Sequence, residues 1–208
     1  MLPAPSAFDE RVLVQVTAPK NGIGTAFAIN GEGQWLTARH VVEGCNDVSL
    51  LVAPGQYDPA RSIVVSEQYD LALIETETSP NPAPINTEND LTIGSYGFHV
   101  GYPQGRPGEA ASRLLARSNL ISRGRRSNSE SVLAWAETGR TRGLMGSLGG
   151  LSGGPVYDEA GNVRGVIVAE SARRGRNYTA APEAVAAFIR ATGAETLGEP
   201  ARTFSTST

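Results

Sequence analysis

Short stretches of β-forming residues recur about every ten residues along most of this chain, and no amphipathic helices alternate with them. Arg11–Thr17 alternates apolar and polar side chains, as a half-buried strand does. Gly24–Ile29, Gln34–Thr37, Val48–Val52, Ser62–Val65 and Asp70–Glu75 follow as further strands, with turn signals at Asn21-Gly22 and Asn30–Gly33. Residues 76–90 are rich in Pro, Asn, Thr and Glu and read as a crossing between halves. The second half resumes with Ser95–Val100, a Gly101–Gly105 turn, and strands near Ser112–Ile121, Ser131–Glu137, Pro155–Tyr157, Val163–Ala169 and Asn177–Ala180. Only after Pro182 does the apolar period lengthen to a helical one, with Val185, Phe188 and Ile189 on one face and Gly193 as a stop. The polar residues 193–208 read as a disordered tail. The fold class is therefore all-β, a sandwich or barrel with one C-terminal helix. The 24 Gly and 13 Pro among 208 residues suit its many turns.

Composition removes several functions. A net charge of −3 gives no bulk attraction to nucleic acid. No apolar run is long enough for a membrane span. One Cys, Cys45, forbids an intramolecular disulfide and any multi-cysteine zinc site, so neither metal nor other cofactor is called for. Lys20 is the only Lys, and Arg thickens between Arg106 and Arg126 and at Arg173, Arg174 and Arg176, as solvated faces commonly do. Met1–Pro5 has neither a basic nor an apolar leader pattern. The compartment is periplasmic or secreted if a leader was removed, and cytoplasmic otherwise.

Three segments carry chemistry. Leu36–Val42 puts His40 just past a strand, Gln68–Ile74 puts Asp70 at the mouth of an apolar strand, and Gly149–Pro155 puts Ser152 in a turn made almost wholly of backbone. Each alone has an ordinary structural reading. Together they supply a nucleophile, a base to take its proton and a carboxylate to orient the base, which is what acyl transfer needs. The glycines fit too, because an oxyanion hole made of main-chain N–H groups requires a face free of side chains.

These segments, LTARHVV, DLAL and GLSGGP, resemble the three signature segments of trypsin-like serine proteases, above all the bacterial HtrA/Deg-type protease domain without its PDZ module. Gly24–Ile29 resembles the strand before the family's His segment, Gly101–Gly105 its G-x-P-x-G turn, and Gly165–Val168 its cleft-lining strand. The resemblance spans roughly residues 10–190. It implies two antiparallel six-stranded β-barrels, residues 1–90 carrying His40 and Asp70 and residues 91–192 carrying Ser152 and the helix. It also implies that His40 is the base, Asp70 its orienter and Ser152 the nucleophile, with the N–H groups of Gly150 and Ser152 as the oxyanion hole. Protein or peptide substrates would then be cleaved through an acyl-enzyme.

The chain departs from the pattern in one place that matters. Leu151 stands where digestive trypsins carry the Asp that pairs with a newly cut N-terminus, so the oxyanion loop must be ordered differently. The resemblance puts Gly146 at the floor of the specificity pocket and Val168, Ala169 and Glu170 along its wall. With no acid at Gly146, small or medium apolar side chains are expected ahead of Arg or Lys. Trp35 and Trp135 read as core or groove aromatics, and His99 as a strand-exposed or satisfied histidine. The competing function is a catalytically silent protease-fold module that binds or scaffolds, and a third is an Arg106–Arg126 face for an acidic partner. Oligomeric state is not legible.

Overall fold

The computed structural model describes residues 1–15, 22–123 and 128–197. Thirteen strands appear among them: β1 (Glu10–Gln15), β2 (Phe27–Ala28), β3 (Gln34–Thr37), β4 (Ser49–Ala53), β5 (Gln56–Pro59), β6 (Ser62–Val65), β7 (Ala72–Glu75), β8 (Tyr96–Gly101), β9 (Gly108–Arg123), β10 (Asn128–Arg140), β11 (Pro155–Tyr157), β12 (Val163–Ser171) and β13 (Arg176–Ala180). A single helical turn, α1 (Arg39–Val42), follows β3, and α2 (Pro182–Thr192) closes the described chain. The all-β expectation with a C-terminal helix holds. Gln56–Pro59 was not anticipated as a strand; it pairs with β4 across the Pro54-Gly55 turn.

The second half is a ring of pairings. Strands run in the order β9-β10-β13-β12-β11-β8, and β8 also pairs with β9, so the ladder returns to its start. A closed ladder leaves no unpaired inner edge. The first half holds β2-β3-β7-β6 as one sheet and β4-β5 as another. Strand β1 belongs to neither: Glu10–Gln15 lies parallel to Ser118–Arg123 of β9. A strand from the first tenth of the sequence thus joins the sheet of the second half. Only its far end, residues 16–17 of the expected strand, falls outside the described residues, as does Asn21 of the first expected turn.

One core joins the halves. Phe27, Leu36, Leu71 and Leu73 from the first pack with Leu120, Val132, Val166, Tyr178 and Phe188 from the second. The crossing at 76–90 is pinned. The Ala83 N–H donates to Ala28 O at 2.8 Å, and Val163 N–H donates to Pro84 O at 2.8 Å. The expected tail needs correction at its start. Leu197 N–H donates to Ile29 O at 3.0 Å and Asn30 Nδ2 donates to Glu195 O at 2.9 Å, so Glu195–Leu197 lies against the free backbone beside β2. Residues 198–208 lie outside the described residues. Helix α2 starts at Pro182, ends on Gly193 with φ +68°, and buries Val185 and Phe188.

Trp135 is the largest fully buried side chain. Its indole N–H donates to Thr179 Oγ1 at 3.0 Å, and His99 meets its ring edge-on at 5.6 Å. His99 shares Nε2 with Ser112 Oγ at 2.7 Å, and burial pulls its pKa down to about 3, so it is a neutral core residue. Trp135→Ala is expected to cost about 3–5 kcal/mol of stability, because the vacated space is lined by rigid strands. Urea unfolding of the variant against wild type measures it.

Candidate active site

His40 sits in the single turn α1, directly after β3, and Asp70 lies two residues ahead of β7, the neighbour of β3 in the sheet. That adjacency brings together residues 30 positions apart. His40 Nδ1 lies 2.6 Å from Asp70 Oδ2, and the His40 backbone N–H donates to Asp70 Oδ1 at 2.9 Å. Both carboxylate oxygens are thus spent on one residue. The imidazole keeps 31% of its exposure while the carboxylate keeps 13%. Surrounding protein desolvates His40 and lowers its pKa, but the Asp70 charge and hydrogen bond outweigh that, and the net shift is upward. Asp70 is desolvated too, yet the His40 charge and bonds hold its pKa below the ordinary carboxylate value.

The loop before Asp70 is fixed from three sides. Arg39, itself buried, donates to Ser66 O at 2.9 Å, and Asn128 Nδ2 donates to Gln68 O at 2.8 Å. The third anchor is Glu130, on β10 of the other half. Both its oxygens lie 3.1 Å from the Asp70 N–H. Burial, and then the Asp70 charge, push the Glu130 pKa up to about 7. Sequence reasoning passed over Glu130, and nothing in the SES run around it marks a site.

Ser152 lies in the turn between Leu148 and β11, half-buried. The turn is anchored below by apolar packing: Leu144, Leu148 and Leu151 cluster with Ala110 and Ile167. The Leu151 that departs from the family pattern is therefore a buried plug, and it orders the loop without a charged N-terminus. Above, backbone touches backbone. A Cβ on Gly153, which has φ +85°, would overlap Thr25 O and Thr37 Oγ1, and one on Gly154 would overlap Val100 O. Only glycine fits where the Ser152 turn meets the strand leading to His40. Two N–H groups have no partner among the described residues. Gly149 O accepts from Gln104 N–H at 2.6 Å and Leu151 O accepts from Gly154 N–H at 2.9 Å. In a trans peptide N–H and C=O point oppositely, so the N–H groups of Gly150 and Ser152 are turned away from those bonds, and neither donates to another of the described residues. Ser152 Oγ and His40 form no hydrogen bond here; such contacts are commonly long in unliganded sites and tighten when substrate binds.

The remaining expected residues divide. Val168 and Ala169 are buried in β12. Gly146 has φ +70°, and its carbonyl accepts from Arg140 Nη1 at 2.8 Å. Glu170 is not a free wall group: its carboxylate binds Ser147 Oγ and, at 2.7 Å, the Leu148 N–H. Gln104 adds two bonds to the same stretch, donating to Met145 O at 2.7 Å and Ser147 O at 2.8 Å. Cys45 is exposed, with its thiol 3.6 Å from Val41 O. Among the described residues no cluster of His, Cys, Asp or Glu could hold a metal ion, and no helix is long and apolar enough to cross a membrane.

The description "Trypsin-like peptidase domain" matches residues 24–166. The chain is 32% identical over 162 residues to protein y4bJ of Sinorhizobium fredii, covering 74% of this chain and 23% of that protein. It is 25% identical to Protease Do-like 1, chloroplastic, of Arabidopsis thaliana, covering 71% of this chain and 33% of that one. It thus spans about a quarter to a third of the length of these curated relatives. Among solved structures it superposes on the Rv3671c protease of M. tuberculosis, active form, with a TM-score of 0.69 at 21% identity, covering 85% of this chain and 76% of that one.

The carboxylates give opposite pH signatures. Asp70, with a lowered folded pKa, stabilises above its unfolded value and loses that contribution as pH falls. His40, raised, stabilises below the ordinary imidazole value and loses its contribution as pH rises through the folded value. Glu130 is raised from 4.5 to about 7, so the folded chain holds a proton that the unfolded chain releases in that window, and stability falls as pH rises through it. Glu130→Gln should flatten this fall between pH 4.5 and about 7. Denaturant midpoints across that range test it; an unchanged slope would remove Glu130 as the source.

Proposed function

The chain belongs to the family of trypsin-like peptidase domains, and from that premise we propose that it is a serine endopeptidase acting through His40, Asp70 and Ser152. The observation that carries the reading is the 2.6 Å bond from His40 Nδ1 to Asp70 Oδ2. With Nδ1–H donated to the carboxylate, Nε2 is left as the base.

In this mechanism Nε2 takes the Ser152 Oγ proton as Oγ attacks the scissile carbonyl carbon. The electron pair of the C=O moves onto oxygen, and that oxyanion is met by the N–H groups of Gly150 and Ser152. The intermediate collapses, the C–N bond breaks, and the imidazolium returns its proton to the leaving amine. Water, activated by the same Nε2, then cleaves the acyl ester and restores Ser152. Asp70 stays ionised throughout, in keeping with its lowered pKa.

Substrates in this reading are proteins or peptides. Gly146 supplies no carboxylate, and that of Glu170 is engaged by Ser147 and Leu148. A small or medium apolar side chain before the cleaved bond is therefore favoured over Arg or Lys.

A fluorophosphonate probe should label wild type at Ser152 and fail on Ser152→Ala. His40→Ala should lower kcat by about 10⁶ and Asp70→Asn by about 10⁴, the scale of losses in this kind of triad. A peptide library should show apolar preference. A wild type that neither reacts with the probe nor cleaves any library member would instead support the silent binding module, and cleavage mainly after Arg or Lys would overturn the pocket assignment.

A further inference from the structure

Every polar atom of Thr25 is hydrogen-bonded, its N–H and hydroxyl to the Ser152 loop. Its N–H donates to Ser152 O at 2.9 Å. Its hydroxyl donates to Gly150 O at 2.7 Å and accepts from the Tyr102 N–H at 3.0 Å. Its carbonyl accepts from Thr37 Oγ1 at 2.7 Å, three residues before His40. The residue is 6% exposed, so these bonds do not exchange freely with water.

Gly150 stands between two peptides, and both are held by the same region. The peptide before it is fixed by the Gln104 N–H on Gly149 O at 2.6 Å, and the one after it by the Thr25 hydroxyl. Gly150 sits at φ +99°, and a Cβ there would overlap Tyr102 O, so the turn and the loop are in direct backbone contact. Such a glycine has a broad choice of conformations when unrestrained. Its N–H lies in the peptide before it and is aimed by the Gln104 bond to Gly149 O, while the peptide after it is held by the Thr25 hydroxyl and by Leu151 N–H, which donates to Leu148 O at 2.9 Å. The Thr25 hydroxyl holds the Tyr102 N–H at the start of the turn that presents Gln104, so its loss loosens the turn whose bond to Gly149 O aims the Gly150 N–H.

On the reading that the N–H groups of Gly150 and Ser152 form the oxyanion hole, we propose that Thr25 is a positioning residue for that hole. Its hydroxyl relays from the Tyr102 turn to Gly150, while its backbone ties the same loop to the strand that leads to His40. It does not touch substrate. It keeps base and oxyanion donors in one frame, although they come from opposite halves of the molecule.

Thr25→Val keeps the shape and removes the hydroxyl; Thr25→Ser keeps the hydroxyl and removes the methyl. For Thr25→Val, kcat should fall by at least ~10-fold, toward the ~10²–10³ of losing a donor outright, with KM changed little. Affinity for a peptide boronate, which mimics the oxyanion, should fall in parallel. Thr25→Ser should retain both within about threefold, since the hydroxyl that positions the donors remains. Thermal melts select variants that are folded at the assay temperature, and hydrogen exchange at Gly150 and Ser152 should quicken in the Val variant alone. Wild-type kcat, boronate affinity and exchange in Thr25→Val would overturn the proposal, as would equal losses in Val and Ser variants, which would point to methyl packing. If wild type does not react with a fluorophosphonate, the peptidase reading fails instead, and the exchange comparison still decides whether the Thr25 hydroxyl orders the loop.

Discussion

The site depends on a contact in which there is no room for a side chain. Gly153 and Gly154 press their backbone onto Thr25, Thr37 and Val100, so the Ser152 turn rests on the strand that leads to His40. Hydrogen bonds reinforce that contact from both sides. Gly153 N–H donates to Ile167 O at 2.7 Å, and Thr25 N–H donates to Ser152 O at 2.9 Å. Nothing bulkier than hydrogen fits at these positions, and the placement of Ser152 against His40 follows from it. The apolar plug of Leu144, Leu148 and Leu151 then holds the turn from beneath. Relatives of the digestive type use a buried ion pair for that purpose. Here the anchor is burial of hydrocarbon, which carries no desolvation penalty for charge and is indifferent to pH.

The other half of the site is held electrostatically, and less comfortably. His40, Asp70, Glu130 and Arg39 crowd together, and Asp70 and Glu130 cannot both be ionised without repulsion. The arrangement resolves this by unequal pairing. Asp70 has His40 on both oxygens and stays charged, while Glu130 faces only the Asp70 N–H and holds its proton to about pH 7. Glu130 projects from β10, so this backbone bond ties the halves together, as does Asn128 through Gln68 O.

Much of this was legible in the chain. Strand order, the turn glycines and the helix ends followed from period and punctuation, because local rules decide them: Pro182 and Gly193 bound α2, and Asp158–Gly161 turns β11 into β12. The His40, Asp70 and Ser152 segments were visible because each pairs a chemical group with a distinctive backbone setting. What was hidden depended on distant partners. Glu130 is one acidic residue among polar neighbours until the fold turns it inward. The bonds that the Glu170 carboxylate makes to Ser147 and Leu148 gave no sign in the sequence either. β1 read as part of the first half, yet it pairs with β9 more than a hundred residues away, a choice between sheet edges that alternation alone cannot express. Residues 195–197 likewise looked free because the acceptors and donors that hold them belong to Ile29, Asn30 and Ile85.

The bond between Thr25 and Gly150 joins residues 125 positions apart, and the turn's own partners extend to Ile167 and Glu170. Closing loops of that length is entropically expensive and comes late in folding. As the chain leaves the ribosome, His40 and Asp70 emerge long before Ser152 and before Ile167 and Glu170, which complete its turn. A nascent chain therefore carries all the reactive groups before it carries the geometry that couples them. The wide sequence separation leaves that coupling to the closing of the second half.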